Sequence, residues 1–194
     1  MLRPKRRGVG MKDEEVLHPG HRSIRLKELD YAAPAFYFIT ICATEKRCIF
    51  GAIRENHIDP SPLGRIVRDC WMSIAPHFPQ VNLHAFVLMP NHVHGIIEIA
   101  RQAGAQLAAP RPGNSLAAFR VKPGSLGAIV RSFKSAVTKK THAELHWQPD
   151  IWQRNYFERV LRDAKEIANA HRYIAENPMM WSLDQENPEK QINI

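Results

Sequence analysis

Apolar positions along the chain change spacing several times, and each change marks an element. "AFYFITICA", residues 35 to 43, is aromatic and β-branched and predicts a strand. "EKRCIFGAIRENHIDPSP" follows as a loop with room for a short hairpin. Ser61-Pro62 has the form of a helix start, with Ser at the cap and Pro at the first helical position. Leu63, Ile66, Val67, Cys70, Trp71 and Ile74 then recur at helical spacing, until Pro76 and Pro79 stop the helix. "VNLHAFVLMP" and "HVHGIIEIA" read as two strands joined by a tight polar turn at Pro90-Asn91. Residues 101–125 are rich in Ala, Gly, Pro and Arg, without periodicity, and read as a long loop or insertion. A second helix spans "LGAIVRSFKSAVTKKTHAEL", with Ile129, Val130, Phe133, Ala136 and Val137 inward. "IWQRNYFERVLRD" leads into a short strand. The last helix is "AKEIANAHRYIAENP", with Asp163 as its cap and Pro178 at its end.

The order β-α-β-β-α-β-α predicts an α+β fold, a ferredoxin-like antiparallel sheet with helices packed on one face. Residues 1–21 read as a flexible basic tail, 22–183 as one domain and 184–194 as a C-terminal tail.

Composition narrows the partners. The 194 residues include 27 Lys plus Arg against 19 Asp plus Glu, a net charge of +8. A basic excess of this size favours polyanions. The charge is clustered in "RPKRR", "RSFKSAVTKK" and "WQRNYFERVLR". No apolar run approaches the roughly 20 residues of a membrane span, and the charged N-terminus lacks a signal's apolar centre, so a cytoplasmic protein is expected. Cys42, Cys48 and Cys70 are odd in number and form no CxxC pair, which predicts buried thiols rather than disulfides or a zinc ribbon.

The chemistry concentrates in "PNHVHG", residues 90–95. Side chains on a strand alternate faces, so His92 and His94 point the same way and Val93 the other. Two imidazoles on one face make half a metal site. A lone HxH pair is more often a solvent-facing pair or a hydrogen-bonded one than a metal site. Gly95 leaves room for a ligand or another backbone. On the last helix Tyr173 and Asn177 lie one turn apart on one face. They read either as partners for the histidines or as a structural tyrosine and a helix-capping amide. Joined, these parts suggest a divalent cation held by two imidazoles and an amide oxygen. Tyr173 would then attack a phosphodiester as nucleophile.

"MPNHVHG", "WQRNYFERVLRD" and "YIAENP", in that order, resemble the REP-associated tyrosine transposases. These are relatives of the insertion-sequence transposases that use one tyrosine and an HUH motif (U being a bulky apolar residue). The match runs from about Arg22 to Trp181. It implies an HUH single-strand DNA endonuclease fold, with His92 and His94 as the motif histidines, Tyr173 as nucleophile and Asn177 as third ligand. It implies Mg²⁺ or Mn²⁺, a 5′-phosphotyrosine intermediate and a free 3′-hydroxyl. The substrate would be single-stranded DNA beside palindromic hairpins, and the enzyme a monomer or homodimer.

Several readings stay open. Tyr156 is a rival nucleophile, though only Tyr173 has a ligand-type residue one turn away. Many relaxases carry a third histidine just past the pair, and "HVHGIIEIARQ" has none. A hydrolase using bound water would not need Tyr173. A non-catalytic hairpin-binding protein would need only the basic blocks. In those blocks Arg131, Lys134, Lys139, Lys140 and Arg154 are candidates for phosphate contact, and Trp152 for base stacking or ordinary core packing.

Overall fold

The computed structural model describes residues 33–100, 122–184 and 186–188. The expected N-terminal tail, most of the 101–125 loop and most of the C-terminal tail lie outside the described residues. Within them the chain forms an α+β fold built on one antiparallel sheet.

That sheet contains β1 (Ala35–Cys42), β4 (Val81–Leu88), β5 (His92–Ile99) and β6 (Phe157–Leu161), in the spatial order β4-β5-β1-β6. A separate hairpin, β2 (Gly51–Arg54) and β3 (His57–Pro60), sits in the anticipated loop. Its two-residue turn puts Glu55 and Asn56 at positive φ, the geometry that matches strand twist in tight hairpins. The first helix is divided at Ser73 into α1 (Pro62–Met72) and the single turn α2 (Ile74–His77). Ser61 caps α1 by accepting from the Gly64 N–H at 3.0 Å. Ser125 caps α3 (Leu126–Leu145), and Asp163 caps α4 (Ala164–Glu176) by accepting from the Glu166 N–H at 2.8 Å. A 3₁₀ segment, Asn177–Leu183, continues from α4.

Helices cover both faces of the sheet, not one. Tyr37, Ile39 and Ile41 of β1 join Val93, Ile97 and Ile99 of β5 under α1 and α3. Phe38, Val87, Ile96 and Leu161 face the opposite way and pack beneath Ala170 and Ile174 of α4. The reason lies in the strands. β1 and β5 occupy the centre and are apolar on both faces, so a helix on one side alone would leave Phe38 and Ile96 in water. Within α3 the inward set is Ile129, Val130, Phe133, Val137 and Thr141, and Ala136 is exposed. Among the described residues no helix is long and apolar enough to cross a membrane. None of the three cysteines is in a disulfide; Cys70 is buried, but Cys48 is exposed, contrary to its expected burial.

Gly95 has an occupant, and it is not a ligand. A Cβ there would lie 2.3 Å from the Trp71 ring, which crosses the sheet on the α1 face. Trp71 is itself stacked on Phe86 and edge-on to Phe133. Gly95→Ala should therefore destabilise the protein by about 1–3 kcal/mol, the usual cost of overpacking. Urea unfolding measures this, and Trp71→Leu in the same chain should recover part of the loss. An unchanged urea midpoint in Gly95→Ala would contradict this packing.

Candidate metal and tyrosine site

Period two places His92 and His94 on the α4 face of β5, beside Ile96, and both are fully buried. Their Nε2 atoms face each other at 3.0 Å. The strand register supplies what surrounds them. Thr40 lies opposite His94 on β1, and its Oγ1 is 2.8 Å from His94 Nδ1. Phe38 stacks on the His94 ring with centroids 5.3 Å apart. Asn91 ends the preceding turn with its amide buried, and its Oδ1 is 2.8 Å from His92 Nδ1. Both histidines thus use Nδ1 for a protein contact and turn Nε2 to a shared point, the arrangement in which a second group fixes a ligand ring.

α4 docks directly over this point. The Tyr173 hydroxyl is 3.5 Å from His94 Nε2, and its ring sits edge-on to Phe38. Asn177, one turn later, is buried, and its amide beside the Tyr173 hydroxyl draws the Tyr173 pKa down against the larger effect of burial. Its Oδ1 has no hydrogen-bond partner, so the oxygen is a buried acceptor without a donor. Such an atom costs about 1–3 kcal/mol unless something satisfies it. Tyr156 packs instead against the core on the other side of the sheet. The structure therefore brings Tyr173, and not Tyr156, to the histidines.

One participant falls where the sequence reads only a tail. After the 3₁₀ segment the chain turns back, and Asp184 Oδ2 comes within 3.9 Å of His92 Nε2. His92, His94 and Asp184 form the group able to hold a metal ion among the described residues, with ligand atoms all within 4.8 Å of one another. Glu186 follows, buried and paired with Lys46 at 3.1 Å. Thr40, Asn91 and Asp184 carried no readable signal, because each depends on strand register or on the path after the last helix.

The donor set suits a divalent cation. The two imidazole Nε2 atoms converge at 3.0 Å, with the Asp184 carboxylate beside them. Imidazole nitrogens with a carboxylate fit the divalent transition ions, and the orphan amide oxygen of Asn177 adds a hard donor.

Electrostatics keep the ligands ready. Burial, with help from the Lys46 charge, pushes the His92 pKa down to about 3. Burial and the neighbouring His92 hold His94 well below the usual histidine value. Both rings are neutral near pH 7, the form that binds metals. Burial, then the charge of Asp184, raises Tyr173 to about 12, so its hydroxyl keeps its proton.

The basic candidates gather elsewhere. Arg131, Lys134, Lys139 and Lys140 sit on α3, which packs on the opposite face of the sheet from Tyr173. Lys139 and Lys140 line a cleft of about 410 Å³ between α3 and the α1–α2 pair. Lys134 donates to the backbone oxygens of Gln153 at 2.6 Å and Asn155 at 3.3 Å. Burial lowers its pKa to about 8. Trp152 packs on Phe50 and Phe133, and its indole N–H donates to Lys134 O at 3.2 Å. Arg131 and Arg154 are exposed.

The lowered histidine pKa values make stability depend on pH. In the unfolded chain both rings titrate near 6.5. Between that value and the folded one, the unfolded state binds more protons. The stabilisation is therefore complete above about pH 6.5 and drains as pH falls, by about 1.4 kcal/mol per unit for each histidine. Urea unfolding of the metal-free protein at about pH 7.5 and about pH 5 should show this loss. His92→Gln should make the dependence shallower.

No protein-family model matches the chain. Two solved structures are similar over part of it. One is a REP-associated tyrosine transposase bound to a REP hairpin, 18% identical, with a TM-score of 0.48, covering 75% of this chain and 67% of that one. The other is a putative transposase from Deinococcus radiodurans, 15% identical, with a TM-score of 0.40, covering 77% and 95%. In sequence the chain is 42% identical over 175 residues to an uncharacterized protein of Haemophilus influenzae, covering 84% of this chain and 91% of that protein. At that identity and coverage, the chain belongs to the same family as the Haemophilus influenzae protein.

Proposed function

We propose that this chain is a metal-dependent HUH-type DNA strand-transfer enzyme that cuts single-stranded DNA through Tyr173. The observation that carries the reading is the placement of the Tyr173 hydroxyl 3.5 Å from His94 Nε2, over two buried histidines that face one point. The strand order β4-β5-β1-β6, with α1 and α3 in the two crossovers, has the split βαβ arrangement of ferredoxin-like sheets. This strand order supports the reading drawn from "MPNHVHG" and "YIAENP".

His92, His94 and Asp184 would hold the cation, Mg²⁺ or Mn²⁺, with Asn177 Oδ1 as a further donor. When bound, it supplies Lewis-acid polarisation of a phosphodiester and a positive charge that favours ionised Tyr173. The chain's own residues do the rest. Asn177 would orient the Tyr173 hydroxyl from one turn along the helix, and Phe38 holds the ring from the sheet side. Tyr173 Oη attacks phosphorus, and the bond from phosphorus to the 3′-oxygen breaks. The products are a 5′-phosphotyrosine and a 3′-hydroxyl, which takes up a proton in place of the one lost by Tyr173. The phosphotyrosine conserves the energy of the broken bond, so attack by a new 3′-hydroxyl rejoins DNA without a nucleotide cofactor. The substrate is single-stranded DNA beside a palindromic hairpin, as the motif resemblance implies.

Incubation with hairpin-bearing single strands and Mn²⁺ should give a covalent protein–DNA adduct resolvable on a denaturing gel. Tyr173→Phe should abolish it, and Tyr156→Phe should leave it within about twofold. An adduct that survives Tyr173→Phe sinks the assignment. Cleavage without any adduct points to hydrolysis by water.

A further inference from the structure

Asn91 and Thr40 hold the two histidines through hydrogen bonds whose directions can be derived. The Asn91 amide has one end facing two backbone oxygens, Lys46 O at 3.0 Å and Glu186 O at 2.6 Å. Carbonyls only accept, so that end is the NH₂ and the other is the oxygen. Asn91 Oδ1 therefore accepts from His92 Nδ1–H, and His92 Nε2 is left with a bare lone pair. His94 Nε2, 3.0 Å away, is the donor in the contact between the rings. A neutral imidazole has one N–H, so His94 Nδ1 is bare and accepts from the Thr40 hydroxyl at 2.8 Å. The bonds run one way, from Thr40 through both rings and Asn91 to the backbone of Glu186.

His92 already presents a lone pair to the shared point, whereas His94 presents a proton. We propose that Thr40 and Asn91 are positioning residues with different tasks, resting on the metal-site reading above. Asn91 locks His92 permanently as an Nε2 ligand and ties the segment bearing Asp184 to the same turn. Thr40 is a tautomer switch. When a cation arrives, the His94 proton moves from Nε2 to Nδ1, and the Thr40 hydroxyl turns from donor to acceptor. The proton stays on the ring, and the bond between Thr40 and His94 is kept in both states. Only a hydroxyl at position 40 can serve both states, since an amide or carbonyl has a fixed role at each end. Thr40 has no route to water, being 1% exposed, so solvent cannot substitute for it.

Imidazole ¹⁵N shifts of the metal-free protein should show His92 as Nδ1–H and His94 as Nε2–H. Adding diamagnetic Zn²⁺ should convert His94 to Nδ1–H and leave the His92 tautomer unchanged. Calorimetric Mn²⁺ titration should find Thr40→Val and Asn91→Ala weaker by about 10–100-fold, the usual effect of removing a ligand's supporting bond. Thr40→Ser should bind within about threefold of the unaltered protein. His92 as Nε2–H before metal, no change at His94 with Zn²⁺, or equal Mn²⁺ affinity in Thr40→Val would each overturn the switch. The tautomers are read on the unaltered chain, so the test survives a variant that fails to fold. Predicted tautomers and affinities without any Tyr173–DNA adduct would remove the strand-transfer reading and leave the switch intact. An adduct with unaltered Mn²⁺ binding in Thr40→Val would do the reverse.

Discussion

The structure turns on two imidazoles placed where no water reaches. A buried ring must be neutral and must find a partner for each nitrogen, or the protein loses a few kcal/mol. The contact between His92 and His94 meets part of that demand, and Thr40 and Asn91 meet the rest. Each partner constrains something larger. Thr40 requires β1 and β5 to pair in one register, since a slip of one residue would put Ile39 or Ile41 beside His94. Asn91 requires the turn after β4 to touch both the backbone at Lys46 and the segment after Leu183. The α4 face of the sheet is thus built around polar groups that have no other place to go.

The other face has a different task. Trp71, Phe86 and Phe133 interlock over Gly95, a large aromatic assembly that makes the centre of β5 rigid directly behind the histidines. One strand therefore carries packing on one side and chemistry on the other. Its alternation is what lets a nearly continuous apolar run hide two ligands. Electrostatics follow the same geometry. The burial that fixes the rings also keeps them neutral and keeps the Tyr173 proton on.

Much of this was legible in the sequence because it depends on local periodicity. Spacing alone gave the strands, the helix caps at Ser61 and Asp163, and the common face of His92 and His94. The single-turn spacing of Tyr173 and Asn177 left two readings open, partners for the histidines or a structural tyrosine and a capping amide, and α4 docks with the Tyr173 hydroxyl 3.5 Å from His94 Nε2. What escaped was non-local. A polar Thr40 in an apolar strand is unremarked until the register sets it against His94. Asp184 lies beyond the last periodic residue, in a stretch read as a tail, and only a chain reversal brings it back. The placement of helices on one face failed for a related reason, since which side α4 takes is decided by Phe38 and Ile96, two residues on separate strands. The basic positions were misleading in another way. A lysine's charge is visible in sequence, but Lys134 spends its ammonium on two backbone oxygens.

The strand order also sets when the site can exist. β6 pairs with β1 although more than half of the described chain separates them, and Asp184 meets a histidine made some ninety positions earlier. Such distant closures come late in folding, after local helices and the β4–β5 hairpin. A chain emerging from the ribosome would hold its two histidines together well before the tyrosine, the amide and the carboxylate arrive. The histidine pair is therefore in place before Tyr173, Asn177 and Asp184 have been made, and the full cluster exists only once the sheet is closed.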